Sequence, residues 1–183
     1  EGVSALSIHG EIHPTRIDLK VTVLDTRKTA YIESIRVDKK QVKAGDTLQV
    51  DVCLKPFTGE KFYQTVLMHI PEDTLPGSML NLTACDATYG QALNIGRSAG
   101  KYFPTNFEQL VQYVENMERN NNLMVRILLT KKGITYKGEG FPSLPASMLS
   151  IMSFSNCSGI GPLSDEVVSR VPMKYVLNGN QTM

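Results

Sequence analysis

Apolar residues recur at every second position through most of the first half of the chain. Ile17, Leu19, Val21 and Val23 alternate with polar neighbours, which predicts a half-buried strand with these four on one face. Ile35 and Val37 continue the theme after Tyr31 and Ile32. The turn signal Lys43-Ala44-Gly45-Asp46 then launches Leu48, Val50, Val52 and Leu54 at period two. Pro56-Phe57-Thr58-Gly59-Glu60 reads as a hairpin connection, and the run from Lys61 to Ile70 returns as its partner strand. Pro71 stops that run, Pro76-Gly77 turns the chain, and Met79 to Cys85 makes a further strand. Short strands parted by Gly and Pro turns predict an immunoglobulin-like antiparallel β-sandwich over residues 28–88. Residues 1–27 would be leading strands, either paired with the sandwich or left from a truncated preceding domain.

The pattern changes after Tyr89. Residues 89–103 are rich in Gly, Ala and Ser and read as a linker. Thr105 and Glu108 have capping-box spacing, and Phe107, Leu110, Val111, Val114 and Met117 recur at helical spacing behind them. Asn120-Asn121-Asn122 ends that helix. Leu123 to Thr130 is almost continuously apolar with Arg126 inside it, the mark of a strand buried on both faces. Lys132-Gly133 reads as a turn into a returning strand, Ile134 to Lys137. Pro142 and Pro145 frame the start of a short helix carrying Met148, Leu149, Ile151 and Met152. The expected fold class is therefore mainly β with α+β: a sandwich followed by a small α+β subdomain over 104–183.

Composition narrows the function. Of 183 residues, 42% are hydrophobic and 20% charged, enough apolar material for a core. Nineteen basic and 18 acidic residues are interspersed to give a net charge of +1, so no basic stripe awaits a row of phosphates and nucleic acid is not an expected partner. No apolar run approaches the roughly 18 residues of a membrane-spanning helix. Both ends read as boundaries of a fragment. Cys53, Cys85 and Cys157 lie far apart, without metal-ligand spacing; Cys53 falls on a strand pattern as a small buried hydrophobe, and an oxidising compartment would allow one bridge among the three.

Candidate chemistry mostly fails on order and spacing. Gly96-Arg97-Ser98-Ala99-Gly100 has the G-x-S-x-G pattern of a nucleophile elbow, yet His9, His13 and His69 all precede Ser98, against the hydrolase order. His9-Gly10-Glu11-Ile12-His13 lacks the Glu placement of a zinc helix, and on a strand its imidazoles stand roughly 13 Å apart, so no metal is expected. Asp165-Glu166 after Ser164 reads as a helix N-terminus, where carboxylates oppose the dipole. No phosphate-binding Gly motif occurs, and no cofactor is expected. The sequons at Asn81, Asn156 and Asn180 read as chance matches.

Several stretches, in order, resemble one family. They are Val42-Lys43-Ala44-Gly45-Asp46-Thr47, Leu54-Lys55-Pro56-Phe57-Thr58-Gly59-Glu60, Ile70-Pro71-Glu72-Asp73, Phe107-Glu108-Gln109-Leu110, Arg119-Asn120-Asn121-Asn122-Leu123-Met124-Val125, and Gly140-Phe141-Pro142-Ser143-Leu144-Pro145-Ala146-Ser147-Met148-Leu149. Together they resemble the region downstream of the catalytic domain in bacterial SpoIVB peptidase-like proteins, which are exported and of serine-peptidase type. The likeness implies an exported accessory piece whose partner is another protein or an upstream domain of the same chain. That class carries its nucleophile in a Gly-Met-Ser-Gly-Ser-Pro-like motif. The nearest stretch here, Asn156-Cys157-Ser158-Gly159-Ile160-Gly161-Pro162, lacks the leading Gly and the second Ser. The expected function is thus a non-catalytic, structural or protein-binding module. One alternative is a serine hydrolase using Ser158 or Ser98 with His69. Another is a carbohydrate-binding sandwich, which would need an exposed aromatic platform although the chain has no Trp and Tyr63, Tyr89 and Tyr102 form no evident row.

Overall fold

The computed structural model describes residues 15–16, 18–97, 107–136, 139–141, 144–145, 147–148, 150 and 160–183. Four strands of the first half form as their alternation requires: β1 (Thr29–Val37), β2 (Thr47–Pro56), β3 (Phe62–His69) and β4 (Asn81–Cys85). The chain then folds into α1 (Ala87–Arg97) and α2 (Phe107–Glu115), followed by β5 (Asn122–Tyr136), β6 (Glu139–Phe141), β7 (Ile160–Pro172), β8 (Val176–Asn178) and β9 (Asn180–Thr182).

These strands make two sheets. The first runs β3-β2-β1-β8, antiparallel except that β8 lies parallel to β1. The second is built on β5. Along one edge β4 pairs with Met124–Leu128 and β6 with Ile134–Tyr136, while β7 follows the other edge and β9 flanks β4. Ile32, Val50, Val52 and Leu54 of the first sheet and Leu82, Val125 and Ile127 of the second belong to one apolar core, so the molecule is a mainly-β sandwich with helices attached. Strand pairing crosses the division drawn between 28–88 and 104–183 at three places, β4 to β5, β4 to β9 and β1 to β8.

Local chemistry accounts for the turns. Gly45 takes φ +85° between β1 and β2, where the Lys43 amide donates to Asp46 Oδ2 at 3.1 Å. In β1 the register shifts between Ile32 and Ser34, and that bulge returns Ile35 to the core face occupied by Ile32.

Four expectations need correction. Residues 18–28 form no strand: Leu19, Val21 and Val23 are 83%, 71% and 88% exposed, because alternation marks two faces but does not provide a partner for the backbone. The stretch 89–97, read as linker, lies within α1 instead. Asp86 caps that helix, its Oδ1 accepting from the Tyr89 amide at 2.8 Å. Gly90 is buried in it because a Cβ there would come within 2.5 Å of Met124 Sδ, so close packing, not looseness, explains this glycine. Lys132-Gly133 makes no turn; β5 runs through it with a register shift between Leu128 and Lys132, and β7 pairs on both sides of that shift. Asp165-Glu166 opens no helix but lies in β7, where Val167, Val168 and Val171 favour strand and Glu166 meets a buried arginine.

α2 forms where its apolar spacing places it, with Leu110 buried, although Thr105 of the capping box lies outside the described residues. Ser147, Met148 and Ser150 are helical where the short helix was expected.

Candidate functional site

β5 carries apolar residues on both faces. Leu123, Val125, Ile127 and Leu129 enter the sandwich core, whereas Met124 and Arg126 turn to the opposite face under α1. A guanidinium in such a place must have all its donors engaged, since an unpaired buried charge costs several kcal/mol, about 3–5 when a partner is removed. Arg126 Nε donates to Glu166 Oε2 at 3.0 Å and Nη2 to Oε1 at 2.8 Å. Its Nη1 donates to the Gly90 carbonyl at 2.6 Å, and Nη2 also reaches Asn94 Oδ1. Arg97, the last residue of α1, approaches Glu166 Oε1 from the other side at 2.9 Å and donates to the Ser164 carbonyl at 2.7 Å. Glu166 is therefore held between two guanidinium groups.

This network floors a cleft of about 580 Å³ between α1, the end of α2 and β7. Its walls include Gln91, whose Nε2 donates to Tyr113 Oη at 2.5 Å, and Glu118, which accepts from Arg170 Nε at 2.6 Å. Arg97, Arg119 and Arg170 face Glu115, Glu118 and Glu166 across it, so the lining charge balances. Such a surface offers hydrogen bonds to a polar backbone and favours neither anion nor cation.

One thiol, that of Cys85, sits close to this architecture. Cys85 is completely buried beside Gly90, and desolvation pushes its thiol up to about 12 against the opposing field of Arg126. A neutral thiol so placed is no nucleophile at physiological pH. Cys53 is buried on β2 as its pattern implies, 3.6 Å from Glu33 Oε2, and both cysteines are free. Lys61 donates to Glu33 at 2.7 Å and holds that carboxyl below its ordinary range, while Glu33 raises the Lys61 ammonium in turn.

Ser98, Ser158, His9, His13, Cys157 and Tyr102 lie outside the described residues. His69 ends β3 with its ring exposed, opposite Thr47 in the ladder, and does not line the cleft. Tyr63 stands exposed on β3, 5.7 Å from the Arg36 guanidinium, whereas Tyr89 belongs to α1. Those two rings are on different elements and make no row. Among the described residues no group of three metal-ligating side chains gathers, and no helix is long and apolar enough to cross a membrane.

The hub formed by Arg126, Asn94 and Glu166 was not singled out from the sequence. Its signal is Arg126 itself, a permanent charge in an otherwise apolar run, which requires a buried carboxylate elsewhere in the chain. No protein-family model, curated protein or solved structure matches the chain.

Proposed function

We propose that this chain is a non-catalytic, protein-binding module of a larger exported or envelope-associated bacterial protein, and that residues 18–24 are its docking strand. One observation carries the reading. Leu19, Val21 and Val23 present an alternating apolar edge to solvent, at 83%, 71% and 88% exposure. Alternation of this kind suits a half-buried strand, and a strand acquires its backbone bonds only beside another. Strand addition to a neighbouring sheet would bury these side chains and supply those bonds together. The neighbour is an upstream domain of the same protein or a separate protein, which accords with the family likeness. The balanced polar cleft beside α1 provides hydrogen bonds of the kind a protein partner uses at its rim.

The chemistry seen in the cleft favours this over a hydrolase. Arg126 and Glu166 are engaged with each other and with backbone, which is what a structural ion pair requires. A photo-crosslinking amino acid in place of Val21, in the intact protein in its native cells, tests the proposal. A discrete adduct whose crosslink maps to a sheet edge is expected. Uniform solvent quenching without an adduct would sink it.

A further inference from the structure

At one end of the sandwich the two sheets part around a second cavity, larger and far less polar than the cleft. Its volume is about 890 Å³, within the range of roughly 300–1,000 Å³ typical of small-molecule sites. The floor is the core itself: Leu48, Ile70, Leu82 and Ile127 all line it and are otherwise buried. The walls come from the β1–β2 connection, residues 38–46, and the β3–β4 connection, residues 70–80. Backbone bonds fix the first of these to the end of β3, the Gly45 amide donating to the Ile70 carbonyl at 3.0 Å and the Ile70 amide to that of Asp46 at 2.9 Å. The second connection is shaped by two turns, Thr74 to Pro71 and Ser78 to Leu75. It leaves Leu75 and Met79 exposed at the mouth, large apolar side chains in water beside an apolar cavity.

The charged side chains that line this cavity are of one sign. Lys39, Lys40 and Lys43 line it, and no acidic side chain joins them among the described residues. Four carboxylates stand on these two connections without lining the cavity: Asp38, whose Oδ1 accepts from the Gln49 amide at 3.0 Å, Asp46, whose Oδ2 accepts from the Lys43 amide at 3.1 Å, and Glu72 and Asp73 next to Pro71. An apolar groove over the core with ammonium groups at its rim complements one chemistry, a long hydrocarbon chain ending in an anion. We propose that this cavity binds a free long-chain carboxylate, its alkyl chain between the β1–β2 and β3–β4 connections and its head group at the three lysines. The chain rests on the floor above Leu48, Leu82 and Ile127 and displaces water from Leu75 and Met79, which fold over it; the lysines set orientation and exclude cationic amphiphiles. This site is independent of the docking strand and stands whether or not that reading does.

The chain contains no tryptophan, so Met79→Trp gives a single reporter at the mouth. Dansylated undecanoate titrated into that variant is expected to bind saturably at one site, with energy transfer from the indole, and to be displaced by palmitate. Replacing all three exposed lysines (Lys39→Glu, Lys40→Glu, Lys43→Glu) should weaken binding about tenfold, as three solvent-exposed charge contacts would. Dodecyltrimethylammonium should fail to displace the probe. The proposal is overturned by absence of saturable binding, by unchanged affinity in the lysine variant, or by equal displacement with the cationic amphiphile. Binding to phosphatidylglycerol vesicles but not to the monomeric probe would also overturn it, assigning the patch to a membrane surface.

Discussion

Arg126 shows how one side chain commits a whole region of this molecule. Its side chain is only 4% exposed, and its donors reach Glu166 on β7 and Gly90 and Asn94 on α1. It therefore joins helix to sheet by charge-assisted bonds at a place largely shielded from water. Arg126→Met should lower unfolding free energy by about 3 kcal/mol, because Glu166 keeps only Arg97 as its partner. The double variant Arg126→Met with Glu166→Leu should cost clearly less than the two single changes added together, since neither Arg126 nor Glu166 is then left facing the other's absence, and only Arg97 loses its carboxylate. Chemical denaturation of the four proteins checks both expectations; strict additivity would contradict the coupling. Cys85 gives a second prediction at this scale. Folding favours its neutral thiol, so that contribution is full below the ordinary thiol range of roughly 8.5. It is lost as pH climbs from there toward about 12. In the native protein at pH 8 Cys85 should resist iodoacetamide and react only after unfolding, as peptide mapping would show; rapid native labelling would contradict its burial.

At the level of elements, legibility in the sequence depended on whether a pattern carried its own partner. β2 and β3 were readable because Gly45 and the Pro56–Glu60 connection fix their register locally. α2 was readable from its apolar face. α1 was hidden because Gly90 and Gly96 resemble a linker, yet Gly90 is there to let the helix approach Met124. Its true start signal was Asp86, a single capping residue. Asp86 also accepts from the Gly179 amide at 2.7 Å, which ties the helix start to the crossover where β8 leaves one sheet and β9 joins the other. Asp86→Ala should therefore cost about 1–2 kcal/mol, the upper part of the range for a lost cap. A melting curve for the variant measures it, and an unchanged midpoint would mean the crossover holds without this carboxylate. The site hub was legible only in part: Arg126 announced a buried partner, but nothing local pointed to Glu166, forty positions away. Its strand neighbours Val167 and Val168 outweigh the helix-start reading of Asp165-Glu166.

The whole molecule is a sandwich whose second sheet is assembled across the helical insertion. β4 precedes the helices and β5 follows them, yet they are paired neighbours, and the core runs through both sheets without a seam. Sequence periodicity identifies strands but cannot say which pair, because every strand of alternating type fits beside every other. The same ambiguity explains residues 18–24. They read as a strand and remain in solvent, which is the expected state of a docking strand before its partner arrives. Hydrogen exchange over those amides, compared between this 183-residue chain and the intact protein in its native assembly, tests that claim most directly. Rapid exchange in the chain alone and strong protection in the assembly is the predicted result; equally rapid exchange in both would contradict it.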